Sequence, residues 1–162
     1  MGTIHLICGM AGAGKTTLAR QLERDLDAIR LCPDEWIEPL LESKSDRPEM
    51  DRLRPRVQQL QWDLALRLVP KCEHVIWEPG LWHSAERYRC VEQAREAGAA
   101  VVLHYFDLSV EEIKRRVVRR NANLPKGSFR VEPDEIDRWM TWFERPDEVE
   151  LAIYSDVRIY GE

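Results

Sequence analysis

Residues 3–17 read TIHLICGMAGAGKTT, and this stretch decides the fold. Ile4, Leu6, Ile7 and Cys8 make an apolar run of strand length. Gly9 then opens Gly-Met-Ala-Gly-Ala-Gly-Lys-Thr, which fits the phosphate-binding loop (P-loop) pattern G-x-x-x-x-G-K-[ST]. The helix-forming run Leu18, Ala19, Arg20, Gln21, Leu22 follows without a break. The pattern carries meaning between a strand and a helix, and both flanks are present.

Each residue type in the loop answers a chemical need. A triphosphate concentrates negative charge, so several backbone N–H groups must converge on it, and glycines let the backbone approach. The helix beginning near Lys15 adds its unpaired amides and the positive end of its dipole. Lys15 reaches for the β- and γ-phosphates, and the Thr16 hydroxyl is the expected ligand of Mg²⁺. Gly9, Met10, Ala11, Gly12, Ala13, Gly14, Lys15, Thr16 and Thr17 therefore form the expected nucleotide-binding set.

Outside the loop, composition narrows the field. A chain of 162 residues makes one domain, large enough for a sheet covered on both faces. Its net charge of -5 argues against general affinity for nucleic acid or anionic membrane. The four cysteines, Cys8, Cys32, Cys72 and Cys90, form no C-x-x-C, and Cys8 and Cys32 fall in or beside strands as small hydrophobes. With no signal peptide and no membrane-length apolar run, the expected location is the cytoplasm. Nothing in the sequence bears on oligomeric state.

Apolar strand-like runs alternate with helical ones along the whole chain. Residues 28–32, 74–78, 99–106 and 157–160 read as further strands, with helices over 34–41, from Pro55 to Pro70, 84–97, 110–120 and from Pro133. Residues 42–56 are polar and contain Pro48 and Pro55, and read as a loose connection that can act as a flap. Such alternation implies a parallel, doubly wound sheet, whose ligands sit beyond the carboxyl ends of the strands. That rule picks out Gly9, Asp34, Glu78 and Asp107.

Asp34, after the second strand, is the candidate base for a substrate hydroxyl attacking the γ-phosphate; its structural alternative is a helix cap. Glu78 occupies the place of a Walker B acid and can reach Mg²⁺ through water or touch the acceptor. Asp107 lies beside a helix cap and reads as structural. Arg116, Arg119 and Arg120 share one helix face, as a phosphate-facing lid over about 109–130 requires. Trp36 and Trp82 fall near the proposed cleft as platforms for a flat substrate, with Arg87 a further acceptor-side candidate, whereas Trp139 and Phe143 follow core periodicity.

Taken together, GMAGAGKTTLA, CPDEW, IWEPGLW-x-x-x-ERY, RRVVRRN and FERPDEVE resemble the small bacterial P-loop kinases related to zeta toxins and chloramphenicol phosphotransferase. The resemblance covers nearly the whole chain. It implies an α/β P-loop NTPase fold of nucleoside-kinase type: a five-stranded parallel sheet in the order 2-3-1-4-5, helices on both faces and a helical lid, as one kinase domain over 1–162. It also implies ATP- and Mg²⁺-dependent phosphorylation of a hydroxyl, with Lys15 and Thr16 at the nucleotide, Asp34 as base, and Arg116 and Arg120 as lid arginines. Two departures stand out. Glu78 replaces an aspartate frequent after the third strand, and Glu162 follows the last strand where related kinases often continue into an adenine-contacting loop.

The expected acceptor is a small molecule with a hydroxyl: an antibiotic, a nucleoside or a nucleotide sugar. A polynucleotide 5′-kinase would need a basic channel. A guanine-nucleotide switch would need N-K-x-D, which is missing from the sequence.

Overall fold

Strand β1, Thr3–Cys8, is buried from Ile4 onward, and strands pair on both of its sides. A computed structural model describes residues 1–161; Glu162, the last residue of the expected 1–162 domain, lies outside the described residues. After β1 come helix α1 (Lys15–Asp25), strand β2 (Ile29–Leu31), helix α2 (Pro33–Ile37), a 3-10 turn (Glu38–Leu40) and helix α3 (Arg47–Leu68). Strand β3 (His74–Gly80), helix α4 (Ser84–Glu96) and strand β4 (Ala100–Phe106) follow. Helices α5 (Val110–Ala122), α6 (Pro133–Met140) and α7 (Glu148–Leu151) then lead to strand β5 (Asp156–Tyr160).

The five strands form one sheet in the order β2-β3-β1-β4-β5, parallel throughout, as the resemblance implies. Side chains alternate between its faces. Ile4, Leu6 and Cys8 point one way and pack under Trp62 and Ala65 of α3, Val69 just after it, and Cys90, Val91 and Ala94 of α4. Ile7, Ile76 and Phe106 point the other way, under Leu22 of α1, Val117 of α5 and Ile136 of α6. The Trp62 and Trp77 rings meet at 4.8 Å within the first layer. Truncating either to alanine would cost about 3–5 kcal/mol.

Residues 42–56 depart from the expected flap. From Arg47 onward they are the first half of α3, which runs straight through both prolines. Pro48 sits in the first turn, where its missing N–H would have no partner anyway, and Asp46 caps that turn by accepting from the Glu49 N–H at 3.1 Å. Pro55 does remove an interior hydrogen bond. Burial on either side of it compensates: Met50 and Val57 join Ile37 and Phe129 in a small separate core. Beyond Pro55, Leu60 is 62% exposed while Gln61 and Trp62 are buried.

Helix α2 also starts one residue earlier than expected. Cys32 is its N-cap and Pro33 its first residue, so Asp34 lies inside the first turn and does not cap it. Among the described residues, no helix is long and apolar enough to cross a membrane.

Candidate active site

The loop between β1 and α1 is clamped from below. A Cβ on Gly12 would lie 2.4 Å from Val117 Cγ2 and face a backbone φ of 82°, so glycine alone fits. The N-cap of α1 is Gly14, with no side-chain cap, and its first turn holds no acidic residue. An eleven-residue helix therefore presents its positive end to whatever lies above.

What lies above is a cavity of about 910 Å³. Ala11, Gly12, Gly14, Lys15, Thr16 and Thr17 line its floor, while Gly9, Met10 and Ala13 are buried and off the lining. Asp34 and Glu78 reach it from the ends of β2 and β3, Trp82 from the turn after β3, and Arg120 from α5. Arg54 and Gln58 enter from α3.

The Lys15 ammonium donates to Met10 O at 2.9 Å, and burial lowers its pKa against the opposing pull of Asp34 and Glu78. Burial likewise lowers Arg120, with Asp34 the counter-charge. Arg120 Nη2 donates to Phe129 O at 3.0 Å, and its buried Nε has no partner among the described residues. Lys15, Asp34 and Arg120 thus feel one another's charge across the cavity.

Glu78 is buried, and both its oxygens are engaged. Oε2 accepts from the Thr16 hydroxyl at 2.8 Å and Oε1 from Arg30 Nη1 at 2.6 Å. Burial raises its pKa, opposed by these two donors. Because the Thr16 proton points to Glu78, the lone pairs of Oγ1 remain for a cation. Arg30 is a hub the sequence reading missed: beside Glu78 it donates to Glu23 at 2.9 Å and to Glu35 at 2.8 Å. Burial works to lower its pKa, but the three carboxylates outweigh that and raise it. A lone arginine in an otherwise apolar strand was the available signal.

Asp34 Oδ1 accepts from Arg54 Nη1 at 2.7 Å. Arg54 was hidden because its segment, residues 42–56, was read as an irregular connection, and Gln58, in the helix expected from Pro55, had no partner turn to align with. Arg47, Asp51, Arg54 and Gln58 line the cavity at successive helical turns, a pattern visible only once α3 is continuous. Arg47 also donates to Glu135 and Arg130 O, and lies 5.8 Å over the Trp139 ring. Trp139, read as core, packs on Trp82 at 5.6 Å and lines the cavity as well.

Other expected site residues stand apart. Arg116 does not line the cavity: it grips the outside of the loop, donating to Ala13 O at 2.8 Å and to Glu112 at 2.6 Å. Arg119 is exposed. Trp36 is 39% exposed and also off the cavity lining. Arg87 is 0% exposed and pairs with Glu150 at 2.5 and 2.9 Å. It also donates to Leu81 O at 2.7 Å and Glu144 O at 2.8 Å, bracing the turn where Gly80 and Leu81 both take positive φ. Asp107 pairs with Arg145 and accepts from the Tyr105 hydroxyl, a structural arrangement.

The cavity fits a triphosphate and a hard cation on its own chemistry. The uncapped helix end, Lys15 and Arg120 supply positive charge, and Thr16 supplies an oxygen backed by a buried acid. No group of three or more metal-ligating His, Cys, Asp or Glu exists among the described residues. A cation held here would draw most of its ligands from the nucleotide and water, as Mg²⁺ does.

Residues 4–146 match the family described as AAA domain. Comparison with curated proteins gives no match. Among solved structures, a candidate kinase of Chloroflexus aurantiacus superposes with a TM-score of 0.75 at 17% identity, covering 99% of this chain and 88% of that one. Kti12 of Chaetomium thermophilum, solved with ADP-AlF3, gives 0.68 at 17% identity, over 98% and 88%. The PezAT toxin-antitoxin system of Streptococcus pneumoniae gives 0.60 at 16% identity, over 99% and 69%. At these identities the likeness establishes a shared fold, that of P-loop NTPases.

Proposed function

The chain belongs to this AAA-domain family, and from that premise we propose that it is an ATP- and Mg²⁺-dependent kinase transferring the γ-phosphoryl group to a hydroxyl of a small molecule. The observation that supports this most is a carboxylate, Asp34, sharing one cavity with Lys15 and Arg120. A nucleotide-binding switch has no need of a partly exposed acid opposite the phosphate loop. In this reading residues 1–162 act as one kinase domain with a lid over about 109–130.

Asp34 accepts the proton of the acceptor hydroxyl as its oxygen attacks phosphorus. Arg54 holds Asp34 oriented until the acceptor arrives. Lys15 and Arg120 hold the transferring group in place and offset the charge that shifts as the bond breaks. Thr16, oriented by Glu78 and Arg30, is the protein's ligand to the metal. When bound, ATP supplies the phosphoryl group and Mg²⁺ shields its oxygens. Phe129, docked on α2 and α3, holds the lid segment that carries Arg120's acceptor carbonyl and keeps water from the site.

The test is ADP release across a panel of hydroxyl compounds, together with calorimetry of ATP binding to wild type and Lys15→Ala. One compound should raise ADP release well above the water background, and Lys15→Ala should lose ATP binding or turnover while keeping its circular dichroism. Wild-type affinity and turnover in Lys15→Ala would refute the reading.

A further inference from the structure

The acceptor end of the cavity differs from the phosphate end in which charges are already neutralised. Arg20 faces Glu35 at 2.8 Å, Arg54 faces Asp34 at 2.7 Å and Arg47 faces Glu135 at 2.9 Å. Lys15 and Arg120, which have no carboxylate in contact among the described residues, belong to the phosphate end. Among acids the reverse holds. Glu86 of α4 lines the cavity, yet among the described residues it makes no hydrogen bond or ion pair. Its charged neighbours Arg89, His83 and Arg87 act only at longer range, and burial raises its pKa.

Helix α3 brings an amide to the same cavity. Gln58 lines the same cavity. Gln61, one turn further along α3 on the same face, is 0% exposed, and neither atom of its amide has a partner among the described residues. A buried, unmet amide costs about 1–3 kcal/mol unless something polar meets it. Trp82 supplies an apolar platform in the same space, its indole set by Gly80, where a Cβ would come within 3.0 Å of Nε1.

The geometry points to an acceptor rich in hydrogen-bond donors and free of anionic groups, a sugar or aminated sugar, with Glu86 as the residue that takes its second hydroxyl or its ammonium. The inference rests on the kinase reading and narrows it. One hydroxyl faces Asp34, the ring lies on Trp82, and the remaining donors reach Glu86 and Gln58. A carboxylate takes only donors, and a partly desolvated one favours a cation most. A phosphorylated or carboxylated acceptor would instead meet Glu86 with like charge, and the cavity-lining arginines other than Arg120 already face carboxylates. Nucleotide sugars and polynucleotide ends are thereby disfavoured. The bland alternative is that Glu86, in the first turn of α4, only complements the helix dipole.

The experiment measures ADP release with ATP and Mg²⁺ on matched probes. Neutral sugars (methyl glucoside and related glycosides) and amino sugars (glucosamine and oligosaccharides of it) are set against glucose 6-phosphate, glucosamine 6-phosphate and UDP-N-acetylglucosamine. Turnover should be confined to the uncharged and amino probes, and the two arms tell hydroxyl from ammonium recognition. Glu86→Gln should raise the acceptor KM roughly 10–100-fold for an amino probe, less for a neutral one, with kcat and ATP affinity unchanged. Gln58→Ala should raise the same KM. Preference for the phosphorylated probes, or an unaltered KM with only a lowered melting temperature in Glu86→Gln, would overturn the inference while leaving the kinase reading intact. Turnover of no sugar probe while another hydroxyl compound is phosphorylated would overturn the inference alone, whereas no ATP binding and no ADP release with any hydroxyl compound would overturn both.

Discussion

Replacing Asp34 by asparagine separates chemistry from structure, because the two effects differ in size. The Asp34–Arg54 pair spans 2.7 Å, but the side chains are 36% and 30% exposed, so solvent screens it. Such a pair contributes about 0–1 kcal/mol. Asp34 also sits in the first turn of α2, where losing its charge forfeits about 0.3–1 kcal/mol of dipole interaction. Cys32, not Asp34, is the N-cap, so no cap is lost. Stability should therefore fall by about 1 kcal/mol, and the melting temperature by roughly 2–4 °C. The loss to catalysis is of another order. An amide cannot take the acceptor's proton, and transfer should drop about 10²–10⁴-fold. The assay is turnover with a proven acceptor, beside calorimetric ATP affinity and the melting temperature of the same variant. ATP affinity should hold, because the loop and Lys15 are untouched. Turnover within a few-fold of wild type would remove Asp34 from the mechanism. Glu35 could not readily replace it, being held by Arg20 and Arg30.

Glu150→Gln leaves the buried Arg87 charge uncompensated and should destabilise the fold by about 3–5 kcal/mol in a denaturant titration; unchanged stability with a raised acceptor KM would return Arg87 to the substrate. Phe129→Ala should lower kcat more than ATP affinity, since Phe129 packs on Ile37, Met50 and Val57 and its carbonyl holds Arg120. Phe129→Leu should recover most of that loss, and an unaltered kcat in Phe129→Ala would refute the coupling. His5 and His104 form a hydrogen-bonded row with His74 and Tyr160 across the sheet, and burial lowers them from 6.5 to about 3 and about 4. The unfolded chain binds protons that the folded row refuses, so stability is constant above about pH 6.5 and falls below it, by about 2 kcal/mol per histidine at pH 5. Melting curves from pH 7.5 to 4.5 test this, and His104→Gln should flatten the slope; the same slope in that variant would exclude the row as its source.

Much of the frame was legible in residues 3–17 and in the alternation that follows. The P-loop spacing, the apolar runs of β1, β3 and β4, and the arginine face of α5 are local patterns, and a single segment carries each of them. The continuity of α3 was not legible. Local propensity puts a break at Pro55, and only the packing of Met50 and Val57 against α2 and Phe129 outweighs it.

The side-chain roles divide along the same line. Glu78, Arg116 and Arg87 occupy the positions the sequence led one to expect, but position along a strand or helix does not say which partner is nearest. Arg30 claims Glu78, Ala13 O claims Arg116, and Glu150, sixty-three residues away, claims Arg87. Asp34 keeps its place at the end of β2, while the cap that would have explained it falls to Cys32. The sequence alone determined the phosphate loop, the parallel sheet and the edge of the sheet at which the cavity opens, because those follow from short-range geometry. Only the tertiary structure decided which charges are neutralised and which are left facing the cavity, because pairing is settled by distances between segments far apart in the chain.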